Sequence, residues 1–433
     1  VSTELHESQP EAPETATAEA AVRVAAPEII AGSLGEYAEI WWRRVRSGES
    51  GALPVIVGLI AIVVYFQVRS SLFLSAGNLV NLMTQAAWII TLGMAEVFVL
   101  LLGEIDLSIG YSSAIGAVIM LWLLSVSNSV PWWLAVLAGL AFTSAYGAVQ
   151  GIIITRLKLP SFVVTLAGLL LGQGLLLYVI NAAAPNSGGT IRLTSSVLND
   201  IENGSMSPAA GWIVMAVAVV LTGAYMVARD GRRRASNLAA PPVSVTMLKV
   251  ALIAVAAVVV VLVGNTNRGF TVAVSGVPWV VPLVLVVLVA WSTLLGRTRF
   301  GRYVYAIGGN AEAARRAGIN LSRIRVLAFS LAGLTAGIMG IIYASLLNGI
   351  SNNVNGGQNV LYAVAAAVIG GTSLFGGRGK MLGAVLGGLI VAVIYNGLSL
   401  LSLGAAAQDM WTALVLLAAV TVDTLARRGR AAQ

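Results

Sequence analysis

Long apolar runs separated by small polar knots fill the chain from about residue 50 onward. A helix needs roughly 20 apolar residues to cross a bilayer, and by that measure about twelve spans are predicted. They fall near 52–68, 80–102, 107–127, 131–155, 161–182, 210–228, 246–264, 278–296, 324–347, 358–375, 381–402 and 408–425. VALIAVAAVVVVLVG and VPLVLVVLVAWSTLLG carry the pattern unbroken, whereas 358–375 is short and interrupted by Gly370 and Gly371. The pattern predicts an all-α fold, a polytopic membrane helix bundle with broken-helix segments. Its transmembrane domain occupies 50–428, followed by a short tail at 429–433.

Residues 1–49 do not share the pattern. ELHESQPEAPETATAEAA is rich in Glu, Ala, Thr and Pro and cannot bury enough surface to offset ordering entropy, so disorder is expected. It lacks the basic start and apolar core of a signal peptide. GEYAEIWWRRVRSGES (35–50) then has amphipathic character. Trp41 and Trp42 suit the membrane interface, and Arg43, Arg44 and Arg46 suit an anionic cytoplasmic leaflet.

Basic residues flank the apolar runs, so the net charge of +8 points to membrane lipid and not to nucleic acid. With the N-terminus inside, only Arg69, Arg192 and Arg268 of the 26 basic residues fall outside. Both termini are then cytoplasmic. The loop 183–209 is the longest outer connection, either passive or a docking surface. Composition agrees with the membrane reading: 58% of residues are hydrophobic and 10% charged, against about 25% charged in soluble domains. The absence of cysteine excludes disulfides, thiolate metal sites and a cysteine nucleophile. The single histidine, His6, lies in the polar tail. No catalytic or metal site is expected.

Two polar knots interrupt the apolar runs. LLLGEIDLSIGY (100–111) places Glu104 and Asp106 between Gly103 and Gly110, in a segment too short for a loop. AAVIGGTSLFGGRGKMLGAVLGG (366–388) repeats the layout with Gly370, Gly371, Gly376 and Gly377. Such glycines permit unusual backbone angles, and paired broken helices point to an internal repeat with a site at its interface. Glu96 lies inside the second span with no Lys or Arg in a span to pair with, so it should face protein. GGRGKM is not a phosphate-binding loop: Leu374 stands where the first glycine belongs, and Met381 follows the lysine.

The stretch 306–320 reads as a complete small helix. Asn310 suits the N-cap and Glu312 the first turn. Ala311, Ala313, Ala314 and Ala317 favour helix. Arg315 and Arg316 occupy the last turn, and Gly318 suits the left-handed closure. Isolated helices need roughly 12–15 residues to persist, so this one must dock, on its own domain or on a cytoplasmic partner.

YAIGGNAEAARRAGIN (305–320) resembles the coupling loop of permease subunits in bacterial ABC importers of monosaccharides. EIDLSIG (104–110), LPSFVVTLAG (159–168), VIGGTSLFGGRG (368–379) and NGLSLL (396–401) resemble that family's other signatures, in the same order. Glu104 and the basic insert RDGRRRASNLAAPPVS (229–244) are like the xylose-type branch. The resemblance covers about residues 52–428 and leaves out the N-terminal tail. It implies a permease, not an enzyme, in the bacterial cytoplasmic (inner) membrane. Two such copies would form the pore as a homodimer. Two cytoplasmic ATP-binding subunits would hold ATP and Mg, with no cofactor on this chain. An extracellular or periplasmic sugar-binding protein would deliver xylose or a similar sugar. The coupling loop would be 297–325, with Gly309, Asn310, Glu312, Ala313, Ala314, Gly318 and Asn320 matching the family's loop and Arg315 and Arg316 free to meet an acidic groove.

A sugar pathway needs hydrogen-bonding side chains in a cavity. Glu104, Asp106, Ser108, Thr165, Gln173, Asn348 and Asn396 are candidates, the alternative for each being a hydrogen bond between helices. Two other readings stand beside the importer. An ion-driven secondary transporter would need paired ionisable groups in the membrane. A membrane-embedded glycosyl-transfer enzyme would need catalytic acids on a loop, for which Asp200 and Glu202 are the available pair.

Overall fold

The computed structural model describes residues 34–46, 53–126, 130–184, 188–236, 238, 240–269, 273–404 and scattered positions from 406 to 421. Residues 1–33 and 47–49 of the predicted N-terminal segment 1–49, the tail 429–433 and most of the span at 408–425 lie outside the described residues. In chain order the helices are α1 (Leu34–Arg46), α2 (Leu53–Arg69), α3 (Ala76–Leu100), α4 (Ile109–Val126), α5 (Trp132–Leu157) and α6 (Ser161–Ala183). There follow α7 (Ser196–Asn203), α8 (Pro208–Ala235), α9 (Val243–Asn265), α10 (Val280–Arg297), α11 (Arg299–Gly309) and α12 (Ala311–Arg316). The last three are α13 (Leu321–Leu346), α14 (Gly356–Ile369) and α15 (Met381–Leu400).

Among the described residues, eight helices are long and apolar enough to cross a membrane, namely α3, α5, α6, α8, α9, α10, α13 and α15. Three shorter apolar helices, α2, α4 and α14, occupy other predicted spans. The fold is thus a polytopic all-α bundle. The expected span 358–375 ends early: α14 stops at Ile369, Gly370 caps it in right-handed geometry, and the knot begins there.

One compact unit takes in α1 and residues 216–257; the other takes in residues 50–215 and 258–433. In the larger unit α13 packs on α5, α3 and α4, and α15 packs on α3 and α14. Small residues permit this closeness, as they do generally between membrane helices. A β-carbon on Gly147 of α5 would stand 2.1 Å from the Phe329 carbonyl oxygen of α13. One on Gly333 would stand 2.2 Å from that of Thr143. The most enclosed span is α3, with Trp88, Met94 and Phe98 in the main core.

The loop 183–209 carries regular structure among its described residues. Its β1 (Thr190–Arg192) pairs antiparallel with β2 (Gly349–Ser351), Ile191 opposite Ile350. Helix α7 packs on the end of α13. The Ser345 Oγ–H donates to the Asn199 carbonyl at 2.8 Å and accepts from the Glu202 backbone N–H at 3.0 Å.

In the smaller unit the Lys249 ammonium of α9 stands 6.0 Å over the Tyr37 ring of α1. The Thr246 hydroxyl donates to the buried Asp230 carboxylate at 2.8 Å.

Candidate functional site

The site grows from three successive caps. Thr298 Oγ1 accepts from the Gly301 N–H at 3.3 Å and starts α11. Asn310 ends α11 by donating its N–H to the Ala306 carbonyl, and its side chain accepts from the Ala313 N–H at 3.0 Å to start α12. Asn320 Oδ1 accepts from the Arg323 N–H at 2.9 Å and starts α13. Between the last two, Gly318 adopts φ +79°. The Ile319 N–H donates to the Ala314 carbonyl at 3.1 Å and the Gly318 N–H to that of Arg315 at 3.0 Å. These paired bonds form a Schellman closure. The helix has 6 residues, slightly shorter than the two turns predicted.

Only Ala314 of α12 is buried; Glu312, Ala313, Arg315 and Arg316 are exposed, as are Ala317 and Gly318. Arg315 and Arg316 do not reach outward unpaired. Both turn back to Glu312 Oε1, at 2.8 and 3.2 Å. These are the i,i+3 and i,i+4 spacings that favour a helix. The two guanidinium groups hold the Glu312 carboxyl below its ordinary range, the Arg315 hydrogen bond contributing most.

The segment before α12 rests on both knots. Val304 and Ile307 of α11 are buried. Tyr305 donates its hydroxyl to the Gly379 carbonyl at 2.8 Å. Gly308 lies against the first knot and the second together: a β-carbon there would stand 1.8 Å from the Leu101 oxygen and 2.4 Å from the Gly377 nitrogen. The knots also bond directly, the Gly377 N–H donating to the Leu101 carbonyl at 2.9 Å. Gly103, Gly371, Gly376 and Gly377 all have positive φ, as expected of turning glycines. Gly110 and Gly370 do not. They serve close packing instead: their β-carbons would meet the Gly356 and Gly383 oxygens at 2.0 and 2.1 Å.

Behind the first knot lies a polar layer. Glu104 pairs with Arg325 of α13 at 3.1 Å. Asp106 Oδ1 accepts from the Ser108 N–H at 2.9 Å and its hydroxyl at 2.6 Å. Gln150 Nε2 donates to Ser108 Oγ at 2.8 Å. Thr165 donates to the Ile105 and Ser161 carbonyls at 3.2 and 3.0 Å. Glu96 faces protein, as expected, and its Oε1 accepts from the Asp106 N–H at 3.3 Å. Asp106, Ser108 and Thr165 are fully enclosed by these contacts.

The remaining pathway candidates lie elsewhere. Gln173 is on an exposed face of α6. Asn348, at φ +55°, accepts from the side chains of Asn199 and Asn203 of α7. Asn396 donates to Asn78 and Gln85 of α3, each at 3.1 Å. Asp200 and Glu202 part company: Asp200 is exposed, whereas Glu202 is buried. Arg325, Gln150, Tyr305 and Gly308 were not singled out from sequence. Only Tyr305 and Gly308 carried a signal, through their place in the YAIGG run.

A family model described as branched-chain amino acid transport system / permease component matches residues 78–422. The chain belongs to that permease family. Among curated relatives, the xylose transport system permease protein XylH of Escherichia coli (strain K12) is 34% identical over 379 residues, covering 86% of this chain and 92% of the relative. XylH of Haemophilus influenzae is 35% identical over 392 residues, covering 87% and 97%. The ribose import permease protein RbsC of Escherichia coli (strain K12) is 30% identical over 368 residues, covering 84% and 92%. No solved structure matches. The permease's α12, both knots and the polar layer all lie inside the matched region, whereas α1 and α2 precede it.

Proposed function

We propose that the permease is the membrane subunit of an ATP-driven importer of a monosaccharide, xylose or a similar pentose or hexose. The observation that carries this reading is α12: six capped residues, docked by Ala314 with Ala311 half-buried against the core, and the other four open to a partner. So short a helix has no stability alone, yet its support, Gly308, touches both knots that break the membrane helices. A cytoplasmic ATP-binding subunit gripping α12 would move both knots at once. ATP and Mg belong to that subunit, and this chain performs no chemistry on them.

Two copies of the chain and two ATP-binding subunits make the assembly, and both termini face the cytoplasm. The outer surface made by β1, β2 and α7 receives the sugar-binding protein. Glu104, Asp106, Ser108 and Thr165 serve the pathway by fixing the shape of the inner knot. The names of the relatives, which transport xylose and ribose, support the sugar class. The test is uptake of labelled xylose into vesicles holding the permease, its ATP-binding subunit and its binding protein. Uptake should require ATP and all three components. Uptake by the permease alone, driven by an ion gradient, would establish the secondary-transporter reading instead.

A further inference from the structure

The smaller unit holds positive charge that the transport mechanism does not use. Residues 34–46 and 216–257 contain eight Lys and Arg against three Asp and Glu. Two of those acids are already engaged: Glu39 with Arg43 at 2.5 Å, and Asp230 with Arg229 at 2.7 Å. Part of the excess gathers where α8 leads into α9. Arg232, Arg233 and Arg234 end α8, and Arg234 donates to the Pro241 carbonyl at 2.6 Å, just before α9 begins. Lys249 lies on the first turns of α9 and covers Tyr37, which brings α1 to the same place.

The apolar neighbours say what kind of anion fits. Leu248 and Leu252 flank Lys249 and are exposed, at 49% and 61%. Trp42 of α1 is exposed at 49%. Only 11% of the apolar window of α9 and 17% of that of α8 is buried inside the protein, which leaves apolar surface that acyl chains can cover. A phosphate with acyl chains satisfies the cations and the leucines together, and Trp42 suits the boundary between them. A free nucleotide or an acidic protein groove satisfies only the cations.

We infer that α1 and the basic ends of α8 and α9 form a headgroup site for an anionic phospholipid. The site lies in the cytoplasmic leaflet under the orientation proposed above. Each basic group near an anionic headgroup strengthens its retention severalfold, so removing three charges should weaken it on the order of a hundredfold.

The full chain is purified in mild detergent, and bound phosphatidylglycerol and phosphatidylcholine are counted by native mass spectrometry. The wild type should keep phosphatidylglycerol in preference to phosphatidylcholine. Arg232→Gln/Arg233→Gln/Arg234→Gln should lose that preference, as should the gentler pair Arg43→Gln/Lys249→Gln. Arg156→Gln/Lys158→Gln, at the end of α5, should retain it. Equal loss in this control, no loss in either test variant, or displacement of the lipid by millimolar inorganic phosphate would each overturn the inference. So would loss of the ATP-binding subunit with lipid retention unchanged. None of the substituted residues belongs to α11, α12 or the knots, so failure here leaves the transport reading standing.

Discussion

Gly308 and Leu101 stand so close that a β-carbon on the first would come within 1.8 Å of the carbonyl oxygen of the second. Leu101 caps the helix that forms the buried centre of the bundle, and Gly308 lies in the last turn of α11, the helix that leads into α12. Movement of one must be accommodated by the other. Overpacking of this kind costs about 1–3 kcal/mol, here against backbone that cannot rotate away. Gly308→Ala should leave the permease in the membrane while coupled sugar uptake falls roughly tenfold or more. Uptake assays beside quantified membrane protein would check this; wild-type uptake would show that the contact carries no motion.

Glu312 is exposed and, among the described residues, pairs with Arg315 and Arg316 of its own helix. Its replacement should therefore leave membrane assembly intact. Glu312→Lys reverses the charge of the open face and frees both arginines. Sugar-stimulated ATP hydrolysis by the reconstituted complex should drop severalfold, and Glu312→Gln should drop it less. Equal activity of all three proteins would remove α12 from the mechanism.

The Glu104–Arg325 pair joins the first knot to the start of α13 across a partly buried contact. Solvent reaches both side chains, so the pair is worth about 1 kcal/mol, near the upper end for such contacts. Glu104→Gln and Arg325→Gln should each lower thermal stability modestly. The double variant should lose less than the sum, which a double-mutant cycle on melting temperatures reads directly.

Glu202 lies outside the spans on α7, and burial raises its carboxyl from 4.5 to about 9. Both of its oxygens are buried without a hydrogen-bond partner among the described residues. Because the folded value is the higher one, the folded state holds a proton that the unfolded chain gives up. Stability from this group is complete below about pH 4.5 and is lost as pH rises toward 9. Glu202→Met removes both unpaired oxygens, which should stabilise the cap by about 1–3 kcal/mol near neutral pH. The melting temperature of the variant should also vary less between pH 6 and pH 9 than that of the wild type.

What the sequence disclosed was local. Asn310, Gly318 and Asn320 announce the ends of α12 and the start of α13 because caps depend on a few adjacent residues. The apolar runs announce the spans for the same reason. Contacts between distant segments left no such trace. Nothing near Leu101 signals Gly377 or Gly308, and nothing near Glu104 signals Arg325. The strands β1 and β2 have three residues each, too few to show alternation. Gly110 and Gly370 were misread for a different reason. A turning glycine and a tightly packed one both lack a side chain, and only the fold separates positive φ from close approach. The helical spacing of Arg315 and Arg316 from Glu312 was legible, yet their pairing with Glu312 was overlooked in favour of a distant partner.

Helix α13 begins at the Asn320 cap beside α12 and is followed by Asn348, which the asparagines of α7 hold. It runs for 26 residues, about 39 Å at the usual rise of about 1.5 Å each, and contains no proline. The two faces of the membrane therefore share a single stiff strut. In the orientation proposed above, a tug on α7 from outside would be felt at Asn320 and a twist at Asn320 would be felt at α7, without any relay of intermediate parts. Under the proposed importer reading, conversation between the delivering and the powering sides would then be mechanical and reciprocal.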